Sequence, residues 1–415
     1  MAFRTGLLGV VAAETFAAHH VCGSDRAAAL VVSRLQTLGP SFVKAGQFLT
    51  TREDILSEDY RRHFAALRDR CRSDPPAVAS SNLRDRLRAF PNVVDVDQEP
   101  FASASIAQVH LGRDASDGAP VAVKVLKRDV AERVQSDLAV ARFLADVARS
   151  TSIEESGRLA GVVSRFERAL LAELDFPREA AAAAEALASS VGRRSVIVPR
   201  VRHSAPGVIV MDHVPSRPVT TASDPARAAD LVFESVMVLV CSGCAFHRDP
   251  HEGNLGIGTS ASGGDALVVY DFGAVSTLSP GTLDSIMEVA LSLVSRDAEG
   301  VASVLLERGL IASDAPGDPD VRREAEVMVR QAFRYMDTHD AVGSFDPSEL
   351  RREVAHRLEL SEECEGLLRA VIMADGVCRK VHPGFDLWRS VDRFLAIHGP
   401  RLTLRRGLRD LASML

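Results

Sequence analysis

Three short segments, in a fixed order along the chain, constrain its fold more strongly than any other feature. The first is "VAVK" (121–124), which lies in a run rich in β-branched residues. The second is "HRDPHEGN" (247–254), in which four residues separate Asp249 from Asn254. The third is "YDFG" (270–273), which follows an apolar run. Each segment alone is weak evidence, but three in this order, each next to the expected strand or turn, predict one particular fold.

The order is that of the protein kinases. In those enzymes a strand lysine contacts the ATP phosphates, an aspartate accepts the proton of the acceptor hydroxyl, and an asparagine and a second aspartate bind Mg²⁺. The residues at these positions here are Lys124, Asp249, Asn254 and Asp271. Carboxylate and amide oxygens suit Mg²⁺. The sequence therefore predicts a site for a nucleotide with Mg²⁺, and the alternative for Lys124 is an exposed lysine at a strand end.

Two parts of an ordinary kinase are missing from the sequence. No GxGxxGxV segment precedes the lysine, and "FASASIAQVH" (101–110) has alanines and serines where glycines usually cradle phosphate. No APE segment follows "YDFG". Since that segment belongs to the peptide-docking region of protein kinases, its absence argues against ordinary peptide phosphorylation.

The pattern of apolar and β-branched residues divides the chain into three regions. Residues 1–90 have helical apolar spacing. Residues 91–215 contain a predicted hairpin around Lys124, an Ala-rich helical stretch (131–190) and two further strands. Residues 216–415 read as mostly helical. The predicted fold class is α+β, a bilobal kinase-like fold whose N-lobe is 91–215 and whose C-lobe is 216–415, preceded by a helical extension.

Composition excludes several other classes of protein. The net charge is −7 and only 5% of residues are aromatic, which argues against nucleic-acid binding. Six scattered cysteines are too few for a disulfide scaffold and favour a reducing compartment. Cys241 and Cys244 form a lone CxxC, which we interpret as core packing. His247 and His251 are four apart, but Pro250 argues against the helix that a zinc site of this spacing needs.

Four segments of the sequence resemble one family. They are "LGPSFVKAGQFLTTREDIL" (38–56), "FASASIAQVH" (101–110), "ELDFPREA" (173–180) and "FHRDPHEGN" (246–254). Together they resemble the KxGQ segment, Ala-rich loop, acidic helix motif and catalytic loop of the ABC1/UbiB/ADCK (AarF) family of atypical kinase-like proteins, over roughly residues 35–280. Four positions depart from the family pattern and leave the nucleotide preference open: Ser103, Ala107, Ala182 and Glu252.

The resemblance implies roles for further residues. Lys124 would have Glu173 as its helix partner, and Lys44 would lie over the active site with Glu179 as partner and Gln47 close by. Without the resemblance, the glutamates would be interpreted as a solvated helix face. The phosphates would meet the Ala-rich loop at Ala102, Ser103, Ala104 and Ser105. The adenine would meet the backbone of the hinge strand at Met211 and Asp212.

The family implies an ATP- or ADP-binding protein that uses Mg²⁺ and supports isoprenoid-quinone or other lipid metabolism. The expected partner is a small lipid-like or isoprenoid molecule. A second hypothesis is a nucleotide-gated lipid-binding protein with little phosphotransfer. A third is a small-molecule phosphotransferase, against which the KxGQ segment argues.

The expected location is the cytoplasm of a bacterium, with peripheral contact at the inner face of the membrane. The C-terminal segment (386–415) interleaves arginines with Trp388, Phe394 and leucines. Such a segment is typical either of an interfacial amphipathic helix or of a terminal helix packed on the C-lobe. The sequence alone leaves both interpretations open.

Overall fold

The computed structural model of this protein describes most of the chain. The described residues are 14–15, 17, 19–49, 57–65, 67, 74–150, 156–190, 196–243, 245–260, 263–312, 317–337 and 359–398. The chain divides into two compact units, Met1–Arg178 with Val201–His213 and Glu179–Arg200 with Val214–Leu415. In this division residues 1–90 and most of the predicted N-lobe share one unit, so the predicted three-part division stays a prediction.

The first unit combines a helical extension with an antiparallel sheet. Its helices are α1 (Ser24–Leu38), α2 (Pro40–Leu49), α3 (Glu58–Ala65), α4 (Pro76–Leu87), α5 (Val130–Ser150), α6 (Ser156–Leu174) and the start of α7 (Phe176–Ser190). Its strands are β1 (Val93–Val94), β2 (Ala102–Ser103), β3 (Ala107–Asp114), β4 (Pro120–Leu126), β6 (Val201–Ala205) and β7 (Val208–Asp212). The strand order is β1-β3-β4-β7-β6, with β2 also paired to β3.

The predicted hairpin is confirmed and forms the centre of this sheet. Strands β3 and β4 pair from Ala107–Leu126 to Arg113–Pro120, and β4 then pairs with β7. Alternation along β4 sends Val121, Val123 and Val125 to one face, where they pack with Leu83 of α4. The opposite face of the sheet packs against α5 and α6. The alternation therefore puts Lys124 on the face that looks towards these two helices.

The extension has a small core of its own. Val43, Phe64 and Leu67 are buried together, with residues of α1 around them. Helix α1 ends at Leu38, and Gly39 follows it with a φ angle of 116°. Pro40 then begins α2 at once, since proline lacks only an amide proton that the first helical turn does not use.

The second unit is mostly helical, with short strands. Its helices after α7 are α8 (Pro225–Cys241), α9 (Pro280–Val294), α10 (Ala298–Glu307), α11 (Pro319–Asp337) and α12 (Glu362–Val381), and residues 387–398 are also helical. Its strands are β5 (Val196–Ile197), β8 (Arg217–Pro218), β9 (Phe246–His247), β10 (Leu255–Thr259), β11 (Asp265–Val269), β12 (Val275–Ser276), β13 (Ile311–Ala312) and β14 (Glu359–Leu360). They form the sheet β5-β11-β10-β8 and the pairs β12-β9 and β13-β14.

Helices α8 and α12 build the centre of the second unit. Most of α8 is buried, which explains its nearly continuous apolar sequence. The thiol of Cys378 on α12 donates to the carbonyl of Ala229 on α8 at 3.3 Å. Asp375 and Arg379 form a buried ion pair one turn apart on α12, at 2.8 Å. Cys241 is buried, in agreement with the interpretation of this thiol as core packing.

The C-terminal segment lies partly outside the described residues, from 399 onward. In the described part, Trp388 is buried against Phe333, with 5.5 Å between ring centroids, and Arg296 lies over the indole. Phe394 is also buried. Both aromatic residues thus contribute to packing, as a terminal helix on the C-lobe would. Among the helices that the structure describes, none combines the length and apolar character needed to cross a bilayer.

Candidate functional site

The first unit contains the predicted phosphate-binding residues. Lys124 lies in the middle of β4, opposite Val109 of β3 and Ile209 of β7. Its ammonium group is 5.2 Å from the ring centroid of Phe176, the first residue of α7. A cation so close to an aromatic face is attracted by the electron density of the ring. Lys124 therefore lies over the ring of Phe176.

The Ala-rich loop is a tight connection between β2 and β3. The backbone N–H of Ala104 donates to the carbonyl of Ala107 at 2.9 Å and closes it. Lys127, just past the end of β4, donates from its ammonium group to the carbonyl of Ala104 at 2.6 Å. The backbone N–H of Lys127 donates to the carbonyl of Ile106 at 2.8 Å. Lys127 thus makes two hydrogen bonds to the loop, one from its side chain and one from its backbone N–H.

Lys44 on α2 forms an ion pair with Glu173, near the end of α6, at 2.8 Å. One turn further along α2, the ring of Phe48 lies 5.6 Å from that of Phe166, two turns before Glu173. Residues three, four or seven apart share one helix face. The two contacts therefore run antiparallel along one line where α2 and α6 meet. Both side chains of the ion pair are about a quarter exposed, at 26% and 21%.

Gly46 and Gln47 have packing roles in this segment. A Cβ atom at Gly46 would overlap the side chain of Leu67 and approach that of Leu35. Gln47 donates from its side-chain amide to the carbonyl of Leu67 at 2.9 Å. Glycine is thus needed for close approach of the chain, and the glutamine holds the segment that follows α3.

The structure places the two predicted acidic residues on different helices. A helix break at Asp175 puts Glu173 on α6, where it pairs with Lys44 of α2, and Glu179 on α7. The predicted pairs of Glu173 with Lys124 and of Glu179 with Lys44 stay predictions. Glu179 is 5% exposed, and a Cβ atom at Gly273 would lie 3.4 Å from its Oε2 atom. Its carboxylate thus lies against the "YDFG" segment.

The hinge strand is held by a cluster around Arg202. Its Nε atom donates to Asp212 at 2.5 Å, and its Nη1 atom donates to Asp114 at 3.0 Å and Asp117 at 2.7 Å. The pKa of Asp114 is lowered to about 2, first by hydrogen bonds from Ser116 and then by Arg202. Arg202 therefore ties the turn after β3 to the predicted hinge. Met211 pairs with Ala122 in the ladder, and adenine contact by this strand stays a prediction.

Replacing Arg202 with methionine should lower the melting temperature more at pH 7 than at pH 3. At pH 7 the variant leaves three carboxylates together without their cation. Asp114 has a lowered pKa in the folded protein, so its stabilising effect is present above about pH 4 and is lost as the pH falls towards 2. At pH 3 the variant can relieve the repulsion by protonation. Thermal denaturation of both proteins at both pH values measures the difference.

Arg113→Met is the matched control, because Arg113 is exposed on β3, next to Asp114. It should change the melting temperature little at either pH. An equal loss for Arg202→Met at pH 3 and pH 7 would show that Arg202 acts through packing rather than through its charge.

In the second unit, two short strands bring the catalytic loop to the "YDFG" segment. Strands β9 and β12 pair with His247 opposite Val275, and the N–H of Arg248 donates to the carbonyl of Ala274 at 2.8 Å. His247 is 5% exposed, and its Nδ1 atom accepts from the N–H of Asp249 at 2.9 Å. The buried imidazole thus fixes the backbone at the predicted catalytic base.

Asn254 and Asp271 lie at the same end of the β10–β11 hairpin. The N–H of Tyr270 donates to the carbonyl of Asn254 at 3.1 Å, directly beyond the Leu255–Val269 pair of the ladder. The Oδ1 atom of Asp271 accepts from the N–H of Gly273 at 2.7 Å. The hairpin register therefore brings together the two residues that the sequence assigned to Mg²⁺. Their oxygen donors fit that ion.

Helix α12 flanks the catalytic loop. Arg369 places its Nη2 atom 3.7 Å from Oδ2 of Asp249, and Lys380 pairs with Glu252. A Cβ atom at Gly366 would lie 3.4 Å from Cδ of Arg248. One helix thus supplies a cation to the predicted base and a second to the loop.

Sequence reasoning missed Lys127, Arg202 and Arg369. For Lys127 a signal existed, since it follows the strand of Lys124 directly, three positions after that lysine. For Arg369 the sequence offers none, because 120 residues separate it from Asp249. Only the packing of α12 brings the two together.

Comparison with known proteins gives consistent matches. A family model described as the ABC1 atypical kinase-like domain matches residues 68–305. A relative from Pseudomonas paraeruginosa, named "Probable protein kinase UbiB", is 30% identical over 380 residues, which cover 87% of this chain and 70% of the relative. A relative of the same name from Azotobacter vinelandii is 29% identical over 379 residues, 87% of this chain and 69% of the relative.

A solved structure, the complex of Rv3197 with erythromycin from Mycobacterium tuberculosis, has a similar fold. The TM-score is 0.55 at 20% identity, and the match covers 81% of this chain and 87% of that chain.

Proposed function

The chain belongs to the ABC1 atypical kinase-like family, and from this membership we propose that it binds ATP or ADP with Mg²⁺ and acts as an ATP-dependent phosphotransferase or ATPase. The kinase-like fold predicted from the sequence is confirmed by the same matches. The observation that carries the proposal is the backbone bond between Tyr270 and Asn254, which joins Asn254 to the segment of Asp271.

Asn254 and Asp271 are the residues that would hold Mg²⁺. An amide oxygen and a carboxylate are a small protein donor set, which is how Mg²⁺ is usually bound when phosphate oxygens and waters complete its octahedron. When bound, the ion neutralises negative charge on the phosphates. Gly273 leaves space beside this pair, where the buried Glu179 approaches it. Glu179 would position the "YDFG" segment.

Asp249 is the proposed base. Its Oδ atoms would accept the proton of the acceptor hydroxyl or of a water molecule. The bond from its N–H to His247 fixes the backbone, and Arg369 lies 3.7 Å from its carboxylate. A guanidinium group here would help to hold the carboxylate in one orientation.

Several residues of the first unit are also proposed to contact the nucleotide. Lys124, held over Phe176, would contact the phosphates with its ammonium group. The loop that includes Ala102, Ser103, Ala104 and Ser105 would approach them with its backbone, since these residues present only small side chains. Met211 and Asp212 would offer backbone groups to the adenine.

The proposed acceptor or effector is a small lipid-like or isoprenoid molecule, and the pathway is isoprenoid-quinone or other lipid metabolism. The support is the UbiB name of the relatives and the two ion pairs between α12 and the catalytic loop. Helix α12 pairs with both Asp249 and Glu252 along this loop, which favours a compact acceptor over an extended peptide. The proposed location is the cytoplasm, with peripheral contact at the membrane.

A second candidate function is a nucleotide-gated lipid-binding protein with little phosphotransfer. The ion pair between Arg369 and Asp249 favours it, because the guanidinium group lies beside the carboxylate that an acceptor hydroxyl would have to reach. The variant Asp249→Asn separates the two functions. If the protein acts as an ATP-dependent enzyme, the variant should lose ATP turnover. If it acts as a nucleotide-gated lipid-binding protein, the variant should still bind lipid as the wild type does.

ATP or ADP with Mg²⁺ should raise the melting temperature of the protein. Ligand at a hundredfold excess over Kd contributes about 2.7 kcal/mol of stability. Thermal shift with each nucleotide, with Mg²⁺ or with EDTA, measures the effect, and phosphate release measures turnover. A protein whose melting temperature does not change under any of these conditions would contradict the proposed function.

A further inference from the structure

Lys127 has an unusual environment for a lysine. It is 6% exposed, in a position where a charged side chain is costly unless it is paired or hydrogen-bonded. Its ammonium group donates to the carbonyl of Ala104 at 2.6 Å and lies 3.5 Å from the carbonyl of Ser105. Both carbonyls belong to the Ala-rich loop. A buried cation is thus directed at the backbone of the segment proposed to approach phosphate.

The bond to Ala104 sets the direction of the next amide. The carbonyl of Ala104 and the N–H of Ser105 belong to one planar trans peptide, in which C=O and N–H point in opposite directions. Because the carbonyl of Ala104 accepts from the buried ammonium group of Lys127, the N–H of Ser105 points away from Lys127. Ala104, on the outer side of this peptide, is exposed, while Ser105 is buried.

The rest of the loop is fixed around this peptide. The N–H of Ala104 is bonded to Ala107, and the carbonyl of Ile106 accepts from the N–H of Lys127. The described loop residues have no positive φ angle, unlike glycines in phosphate-binding loops, which are free to adopt one. An outward N–H with a cation beneath it attracts an anion, as the backbone amides of anion-binding nests do.

We propose that Lys127 is a positioning residue that turns the amide of Ser105 towards a phosphate group of the bound nucleotide and adds positive charge beneath it. The inference rests on the proposed nucleotide binding and extends it, since it assigns the loop's phosphate recognition to a residue outside the loop. In ordinary kinases glycines give this loop its freedom; here a lysine holds one conformation.

Lys127→Met tests the proposal, because methionine keeps an unbranched apolar stem and removes the charge. Isothermal titration with Mg²⁺ at fixed ionic strength gives Kd for ATP, ADP and adenosine. The variant should bind ATP and ADP at least about tenfold more weakly while adenosine affinity stays within about twofold. Lys127→Arg should retain most of the affinity for both nucleotides. Arg128→Met, which changes the exposed neighbour, should leave all three affinities unchanged.

Other outcomes separate the possible failures. If the wild-type protein binds neither nucleotide, the proposed function itself fails. If Lys127→Met binds both nucleotides as the wild type does, or loses adenosine equally, Lys127 has no role at the phosphates. Should Lys127→Met not fold, Ala104→Gly provides a second test, because glycine frees the same peptide while keeping the lysine. It should change the ratio of ATP to ADP affinity, and an unchanged ratio would overturn the proposal.

Discussion

Asp271→Asn should remove the Mg²⁺ dependence of nucleotide binding and lower ATP turnover by at least about 100-fold. Asparagine has the same shape and keeps an acceptor for the N–H of Gly273, which now donates to Oδ1 of Asp271 at 2.7 Å. The change therefore removes the charge that Mg²⁺ needs and leaves the turn intact. The measurement is Kd for ADP with Mg²⁺ and with EDTA, together with phosphate release at saturating ATP.

Asp265→Asn is the matched control. Asp265 is the first residue of β11, the strand that leads to Asp271, and it pairs with Arg217 near the surface. It should keep the wild-type Mg²⁺ dependence and turnover. If Asp271→Asn still shows tighter ADP binding with Mg²⁺ than with EDTA, the ion is held elsewhere, and the assignment of Asn254 and Asp271 as its ligands is wrong.

The sequence predicted the parts of the fold and site that depend on local pattern. The run rich in β-branched residues around "VAVK" predicted the strand that carries Lys124, and the Asp, Ser and Gly residues after Asp114 predicted the hairpin turn. Four residues separate Asp249 from Asn254 because both belong to one short loop. Such a spacing can be recognised from the local sequence alone. The order of the motifs then identified the kinase-like fold, since no single motif did.

The ion pair between Glu173 and Lys44 was harder to predict, because it depends on where one helix ends. Residues 131–190 were predicted as one helical stretch, and the structure divides them among α5, α6 and α7. The side chain of Asp175 accepts from the N–H of Arg178 and starts the new helix. This break turns Glu173 towards α2 and leaves Glu179 on a different helix. In a single continuous helix, Glu173 and Glu179 would instead lie six residues apart on the same helix.

Contacts between residues far apart in the sequence leave no recognisable pattern in the local sequence, so they could not be predicted. Arg202 reaches back 88 residues to Asp114, and Arg369 lies 120 residues after Asp249. Arginine on a helix or strand usually faces solvent, so sequence alone favours that interpretation for both. The short strands β9 and β12, two residues each, were missed for a similar reason: their pairing depends on the loops they join.

Lys44→Met and Glu173→Gln should each destabilise the protein, and together they should do so by clearly less than the sum. Exposed ion pairs typically contribute below about 1 kcal/mol, and removal of one partner of a buried pair costs about 3–5 kcal/mol. Because this pair is about a quarter exposed, we expect a coupling energy between these limits, of about 1–2 kcal/mol. Urea denaturation of the wild type, both single variants and the double variant gives this coupling.

The control cycle uses Arg142 and Glu167, which form a 2.8 Å ion pair between α5 and α6 with the arginine half exposed. Its coupling should be below about 1 kcal/mol.

Glu173 is close in sequence to two residues near the proposed site. Phe176, three residues later, packs under Lys124, and Glu179, six residues later, lies beside Gly273. Loosening α2 from α6 should therefore also change basal ATP turnover, whereas the control variants should not. Additive single effects with unchanged turnover would mean that Lys44 belongs to an ordinary surface helix and that the extension does not regulate the site.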